Sequence, residues 1–174
     1  MIEPSAITLL PWDESGLALL RSLNTPEEKR YLGGPESEEK LLERHARYLT
    51  YHKPGEVEVL QVASAGETVG AVVYWEREEA GETVYEAGWE LLPRMQGRGV
   101  GTAATAAMLS RLQPLARHGY VYATPTPDNA ASNGICRKLG FTLIGTADVE
   151  YPQGTVSPHN IWRLDLTQWS PPAA

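Results

Sequence analysis

Three strand-like runs, Val57–Ala63, Thr68–Trp75 and Thr83–Leu92, follow one another, separated by short links that contain Ala65-Gly66-Glu67 and Glu78-Glu79-Ala80-Gly81-Glu82. A parallel crossover needs a dozen or more residues, so these links admit only antiparallel hairpins. The third run then feeds Gln96-Gly97-Arg98-Gly99-Val100-Gly101, three glycines in six residues. A helix of small residues follows directly, Thr102-Ala103-Ala104-Thr105-Ala106-Ala107-Met108-Leu109. The chain must therefore fold as an antiparallel meander that delivers its barest backbone to the mouth of a helix.

The flanking segments extend this pattern. Ile7–Leu10 reads as a first strand ended by Pro11, and Asp13 caps a helical stretch carrying Leu17, Leu20 and Leu23. After the loop Tyr31-Leu32-Gly33-Gly34-Pro35, Ser37 with Glu38 and Glu39 opens a second helix to about Thr50. Leu41, Leu42, His45 and Leu49 are expected on one of its faces. Beyond the glycines the helix runs to about Leu112, stopped by Pro114. Tyr120–Ala123, a helix over Asp128–Lys138 closed by Gly140, Phe141–Thr146 and Ile161–Leu166 complete the order. This predicts a single mixed α/β domain of about seven strands and four helices over residues 1–174, with its core at 7–166 and a tail at 167–174.

Charge and cysteine content narrow the function. The 174 residues carry a formal net charge of −7, which argues against a nucleic-acid partner and agrees with a cationic or amine-bearing one. A single cysteine, Cys136, excludes an internal disulfide framework, and the four histidines show no metal spacing. No basic leader precedes an apolar run and no stretch approaches eighteen apolar residues, so no membrane partner and a cytoplasmic location are expected.

Glycines at a helix start leave N–H groups uncovered where the helix dipole is positive, a place where a pyrophosphate can settle on the backbone. Arg98 could add a charge-assisted contact. Gly99-Val100-Gly101-Thr102-Ala103-Ala104 also satisfies the dinucleotide fingerprint, although Pro93-Arg94-Met95-Gln96 separate it from the preceding strand. A nucleoside-triphosphate loop is excluded, since no glycine-lysine-serine/threonine run is present. A ligand-free turn remains the plain alternative.

The segment Gly88-Trp89-Glu90-Leu91-Leu92-Pro93-Arg94-Met95-Gln96-Gly97-Arg98-Gly99-Val100-Gly101 resembles motif A of the GCN5-related N-acetyltransferase (GNAT) superfamily. Some thirty residues on, Asn129-Ala130-Ala131-Ser132-Asn133-Gly134-Ile135-Cys136-Arg137-Lys138-Leu139-Gly140-Phe141 is similar to its motif B. The resemblance extends from about Ile7 to Leu166. Tyr31–Pro35 and the asparagine-x-x-serine form of motif B resemble the branch of ribosomal-protein N-terminal acetyltransferases. It implies a mostly antiparallel sheet in which Thr83–Leu92 and Tyr120–Ala123 form a splayed parallel pair around acetyl-coenzyme A.

Site roles follow from that resemblance. It implies that Leu91 and Leu92 lie where backbone groups hold the acetyl carbonyl and pantetheine amides. Gln96, Gly97, Arg98, Gly99, Val100, Gly101 and Thr102 would take the pyrophosphate, and Asn129 the pantetheine arm. Cys136 stands where many members carry a tyrosine acid, so Ser132 is the expected proton donor to the leaving thiolate. Glu86 is the expected base and Glu90 its alternative, four residues along the same strand face. Desolvation beside the cofactor would raise such a carboxylate's pKa. Tyr31 and Trp89 would line an acceptor pocket bordered by Tyr151–Pro158. The implied activity is direct acetyl transfer to a primary amine, a protein or peptide N-terminus or a small amine, with a homodimer possible and no metal. A non-catalytic acyl-coenzyme A sensor and a small dinucleotide-binding enzyme are the alternatives.

Overall fold

The computed structural model describes residues 6–173. In chain order the elements are β1 (Ile7–Pro11), α1 (Gly16–Leu23), α2 (Glu38–Tyr48), β2 (His52–Lys53), β3 (Val57–Ser64), β4 (Glu67–Glu79) and β5 (Glu82–Leu91). They continue as α3 (Val100–Leu112), β6 (Tyr120–Ala123), α4 (Ala130–Lys138), β7 (Thr142–Glu150) and β8 (Val156–Asp165), with short 3-10 turns at Pro93–Met95 and Gln113–Leu115. The described residues form one eight-stranded sheet ordered β1-β3-β4-β5-β6-β8-β7, with β2 paired to β3. This is the expected mixed α/β class with one strand more, because His52–Lys53, just past the expected end of the second helix, make a two-residue ladder with β3.

Every neighbouring pair is antiparallel except β5 and β6. Their parallel register holds only for Tyr85–Val121 and Glu86–Tyr122. Beyond Glu86 the two strands part, while β5 stays paired with β4 as far as Leu91. Strand alternation puts Glu86, Gly88 and Glu90 on one face of the sheet and Ala87, Trp89 and Leu91 on the other. The first face is covered by α1 and α2; Lys29, from the segment between them, and Arg44 of α2 reach Glu90. The second receives α3 and α4.

Helix α3 seats itself through small and apolar residues together. Ala104, Thr105, Met108, Leu109 and Leu112 are each fully buried. Burying a Leu or Met side chain contributes about 1.5–3 kcal/mol. Helix α4 ends as expected at Gly140, which is left-handed. The Gly140 and Phe141 amides donate to the carbonyls of Arg137 and Cys136, closing a Schellman turn.

Several sequence expectations are corrected. Leu42 is exposed, because α2 turns only Leu41 and His45 inward over that stretch. His45, by contrast, sits on the inward face as expected, its Nδ1 accepting from the Trp12 indole at 3.1 Å. The N-cap of α1 is Ser15, with the Asp13 carboxylate accepting from its amide at 3.0 Å. The last hairpin is longer than expected, with β7 reaching Glu150 and β8 starting at Val156. The core also extends past residue 166: Trp169 is buried and donates to the Leu139 carbonyl at 3.0 Å.

Candidate active site

The parting of β5 and β6 opens a cleft of about 780 Å³ that passes from one sheet face to the other. Its walls combine Ala87–Leu91 of β5, the segment from Ala123 to Thr126 after β6, the first turn of α4 and the loops at Tyr31 and Tyr151. Once separated from β6, the gap-facing peptide groups of β5 have no strand partner on that side.

On the helix side, Pro93 starts a 3-10 turn and Gln96–Gly99 lead into α3. Gly97 (φ 71°) and Gly99 (φ 81°) are left-handed, and Gly99 is the N-cap of the helix. Amides of the first turn have no helical carbonyl four residues back, and no side chain caps them. Gly101 serves a different need: a Cβ there would lie 2.7 Å from Ile135 Cδ1 and 3.2 Å from Leu91 Cδ1. Its bare backbone brings α3 against two residues of the cleft wall. The dinucleotide alternative fails on this geometry, because β5 ends at Leu91 and eight residues precede the helix.

Helix α4 supplies the facing wall. Asn129 caps it, its Oδ1 accepting from the Ser132 amide at 3.1 Å. Ser132 Oγ accepts from the Trp89 indole N–H at 3.2 Å, so Trp89 reaches across the cleft on the helix side of the sheet. Cys136 is fully buried, and burial pushes its thiol up to about 12. It cannot reach the cleft as the missing tyrosine would.

Asn133, quoted within motif B but given no role there, is the brace of this wall. Its Nδ2 donates to the Thr126 and Asn129 carbonyls at 2.9 and 2.8 Å. Its Oδ1 accepts from Asn160 Nδ2 at 2.9 Å and the Trp162 indole at 2.8 Å. Thr126 Oγ1, beside it at the cleft, is buried and has no partner among the described residues.

The opposite sheet face carries charge. Glu86 accepts from Arg77 Nε through one oxygen and from the Thr124 hydroxyl, at 2.9 Å, through the other. Glu90 binds the buried Lys29 ammonium at 2.5 Å, with Arg44 at 3.9 Å. Tyr31, Tyr48 and Tyr151 stand around this group. Burial pushes the Tyr48 hydroxyl up to about 12, so it is neutral and can donate. The two mouth loops touch at Gly33 (φ 86°), where a Cβ would lie 2.5 Å from Pro152 Cγ.

His159 also lines the cleft and is buried. Its Nδ1 is 2.6 Å from the Thr124 carbonyl oxygen, which can only accept, and its Nε2 is 3.3 Å from Ser157 Oγ. Its isolated place in the sequence gave no signal of this. Lys29, Arg44 and Thr124 were missed in the same way, since only the fold brings them to Glu90 and Glu86.

The structure thus brings together Glu86, Trp89, Glu90, Leu91, Gln96, Asn129, Ser132 and Tyr31 around one cleft. Of the glycine segment only Gln96 lines this cleft; Gly97, Arg98 and Gly99 lead from it into the first turn of α3, with Val100, Gly101 and Thr102, and Leu92 is buried. No group of three or more metal-ligating side chains occurs among the described residues, and no helix is long and apolar enough to cross a membrane.

Three observations fit a coenzyme A thioester: free first-turn amides, the space held open by Gly101, and the unpartnered Thr126 hydroxyl at the wall. Residues 6–142 match the family model described as an acetyltransferase (GNAT) domain. No curated protein sequence matches this chain significantly. Among solved structures, a RimL ribosomal L7/L12 alpha-N-protein acetyltransferase in complex with coenzyme A superposes with TM-score 0.77 at 19% identity, covering 94% of this chain and 96% of that one. The Salmonella typhimurium acetyltransferase that modifies the N-terminal serine of L7/L12 gives 0.78 at 21%, with 92% and 95% covered. An aminoglycoside acetyltransferase AAC(6')-Ib with coenzyme A gives 0.71 at 22%, with 91% and 94% covered. With a glycine-cradled helix mouth beside a split parallel pair, and a family match over residues 6–142, the chain belongs to the GNAT acetyltransferases and draws its acetyl group from acetyl-coenzyme A.

Proposed function

We propose that this acetyltransferase acts on a primary amine, with a protein or peptide N-terminus as the first candidate class and a small amine as the second. The observation that carries the reading is the two-sided cleft: anion-binding amides and Ser132 on the helix side, carboxylates and aromatic hydroxyls on the other. The bound thioester supplies an activated acetyl group. Residues 96–102 hold its diphosphate, with Arg98 as an exposed counter-charge. The gap-facing amides near Leu91 polarise the acetyl carbonyl, where one well-placed donor is worth about 2.7–4 kcal/mol. Asn129 and Thr126 border the pantetheine arm.

Ser132 is assigned to the leaving sulfur. Its oxygen already accepts from Trp89 and its amide is held by Asn129, so its hydroxyl hydrogen is the group left to donate into the cleft. Glu90 and Glu86, each already paired with a cation, shape the opposite face, from which the amine approaches. Glu86, the base expected from sequence, has both oxygens engaged by Arg77 and Thr124, which suits it to shaping this wall. Trp89 is assigned to Ser132 in place of the acceptor pocket. The two RimL-type structures support the N-terminal amine class, and the aminoglycoside enzyme keeps the small-amine class in view.

Incubation with acetyl-coenzyme A and a panel of peptides with free N-termini and small amines tests this directly. The expected result is thiol release with a gain of one acetyl group on the acceptor nitrogen. Tight coenzyme A binding without release on any amine would favour a sensor.

A further inference from the structure

We infer that His159 is the proton acceptor for the incoming amine, an assignment that rests on the proposed transfer reaction. An attacking amine needs a base on the sheet face from which it approaches, opposite the group that protonates sulfur. Ser132 lies on the helix side. Glu86, Glu90 and Thr124 define the other, by the alternation of β5 and the Glu86–Tyr122 register. On β8, Tyr122 pairs with Arg163, so residues 163, 161 and 159 share that same face.

The hydrogen bonds of the ring define its neutral tautomer. The Thr124 carbonyl can only accept, so Nδ1 at 2.6 Å carries the hydrogen and Nε2 of the neutral ring holds the lone pair. Ser157 Oγ, a rotatable hydroxyl at 3.3 Å, is the other polar neighbour of Nε2. A base oriented by a backbone carbonyl at one nitrogen, with its second nitrogen met by a hydroxyl that can rotate away, is what amine activation requires. The carboxylates offer less: Glu86 is occupied by Arg77 and Thr124, and Glu90 by Lys29.

The proton balance closes. The acceptor arrives as an ammonium and gives one proton to His159 Nε2, directly or through one water. Its lone pair then forms the C–N bond to the acetyl carbon as the C–S bond breaks. A second proton leaves nitrogen as the amide forms and one is delivered to the thiolate, so one net proton passes through His159 to solvent. The charged and titratable groups sharing this part of the cleft are Glu86 on β5, Glu150 and Tyr151 at the end of β7, and Glu90 with Lys29 further along.

The discriminating substitution is His159→Asn, whose side-chain amide can take the place of Nδ1 toward Thr124 while deleting Nε2. Assayed on the fastest amine of the panel, kcat/KM should fall about 10²–10⁴-fold at neutral pH. The loss should shrink as pH rises toward the amine's own pKa, where a base is no longer needed. Thermal stabilisation by coenzyme A should stay within the wild-type range. Independently of turnover, ¹⁵N-labelled wild-type protein should show His159 as the Nδ1–H tautomer. An Nε2–H tautomer, activity within twofold of wild type, or an equal loss at every pH would each overturn the assignment. An inactive wild type would remove the transfer reading itself, and this role with it.

Discussion

Asn133 offers the sharpest test of how the active-site wall is held. All four of its side-chain hydrogen-bonding positions are used, two as donor and two as acceptor, at 2.8–2.9 Å, and it is 2% exposed. Asn133→Asp preserves shape and the Oδ1 acceptor for Asn160 and Trp162. It replaces the donating Nδ2 with an oxygen facing the Thr126 and Asn129 carbonyls. Two lost bonds contribute about 1 kcal/mol each, and a buried oxygen without a donor costs about 1–3 kcal/mol more. The sum is about 3–5 kcal/mol, a large share of the 5–15 kcal/mol typical of a domain. At about 2–4 °C per kcal/mol for a chain of this size, Tm should fall by roughly 10 °C.

The sign with pH follows. Facing two carbonyls, the new carboxyl would favour its protonated, donating form in the folded state. Its folded pKa would then exceed the unfolded value near 3.9, and the deficit should widen as pH rises above about 4. Thermal unfolding at pH 4 and pH 7 measures both effects. A variant melting within about 2 °C of wild type at pH 7 would refute the account of Asn133 as the brace.

Glu58 accepts from Arg111 at 2.8 Å and from Tyr74 at 2.7 Å. Burial pushes its carboxyl up, but these bonds outweigh burial and hold it below the ordinary carboxylate value. Its contribution to stability is therefore present above the unfolded pKa near 4.3 and lost as pH falls through the folded value. Denaturation midpoints of wild type and Glu58→Gln should converge in acid. Lys29→Met strips Glu90 of its buried partner, and with Arg44 nearby and Glu90 partly exposed the loss should be about 1–3 kcal/mol, read from urea unfolding. Gly101→Ala adds helix propensity of about 1 kcal/mol but pushes on Ile135 and Leu91, so Tm should change little while coenzyme A affinity drops about tenfold by calorimetry. Cys136 should resist thiol reagents in the native state and react in urea.

The sequence pattern revealed most of what local chemistry dictates. Hairpin links of a few residues, Ser37 at its helix start, and Gly140 at a helix end each have short-range causes that can be read along the chain. The cofactor end of the site was equally visible, because it is built from consecutive residues, 96–102. The amine end was not. Lys29 meets Glu90 across 61 positions, and Thr124 joins Glu86 across 38. His159 reaches Thr124 only because β8 lies beside β6 in the sheet. Such pairings depend on strand order, which leaves no periodic trace. Glu86 was expected as a free base for the same reason: nothing in its own segment discloses that Arg77 would occupy it.

The unzipping of β5 from β6 past Glu86 leaves a half-made ladder inside an otherwise complete sheet. A ligand with amides of its own could finish that ladder in the manner of an added strand. The gap-facing amide hydrogens of Ala87, Trp89 and Leu91, which alternate with those bonded to β4, would then gain exchange protection only when such a ligand is bound, so the order in which acetyl donor and amine arrive could be read from the backbone itself.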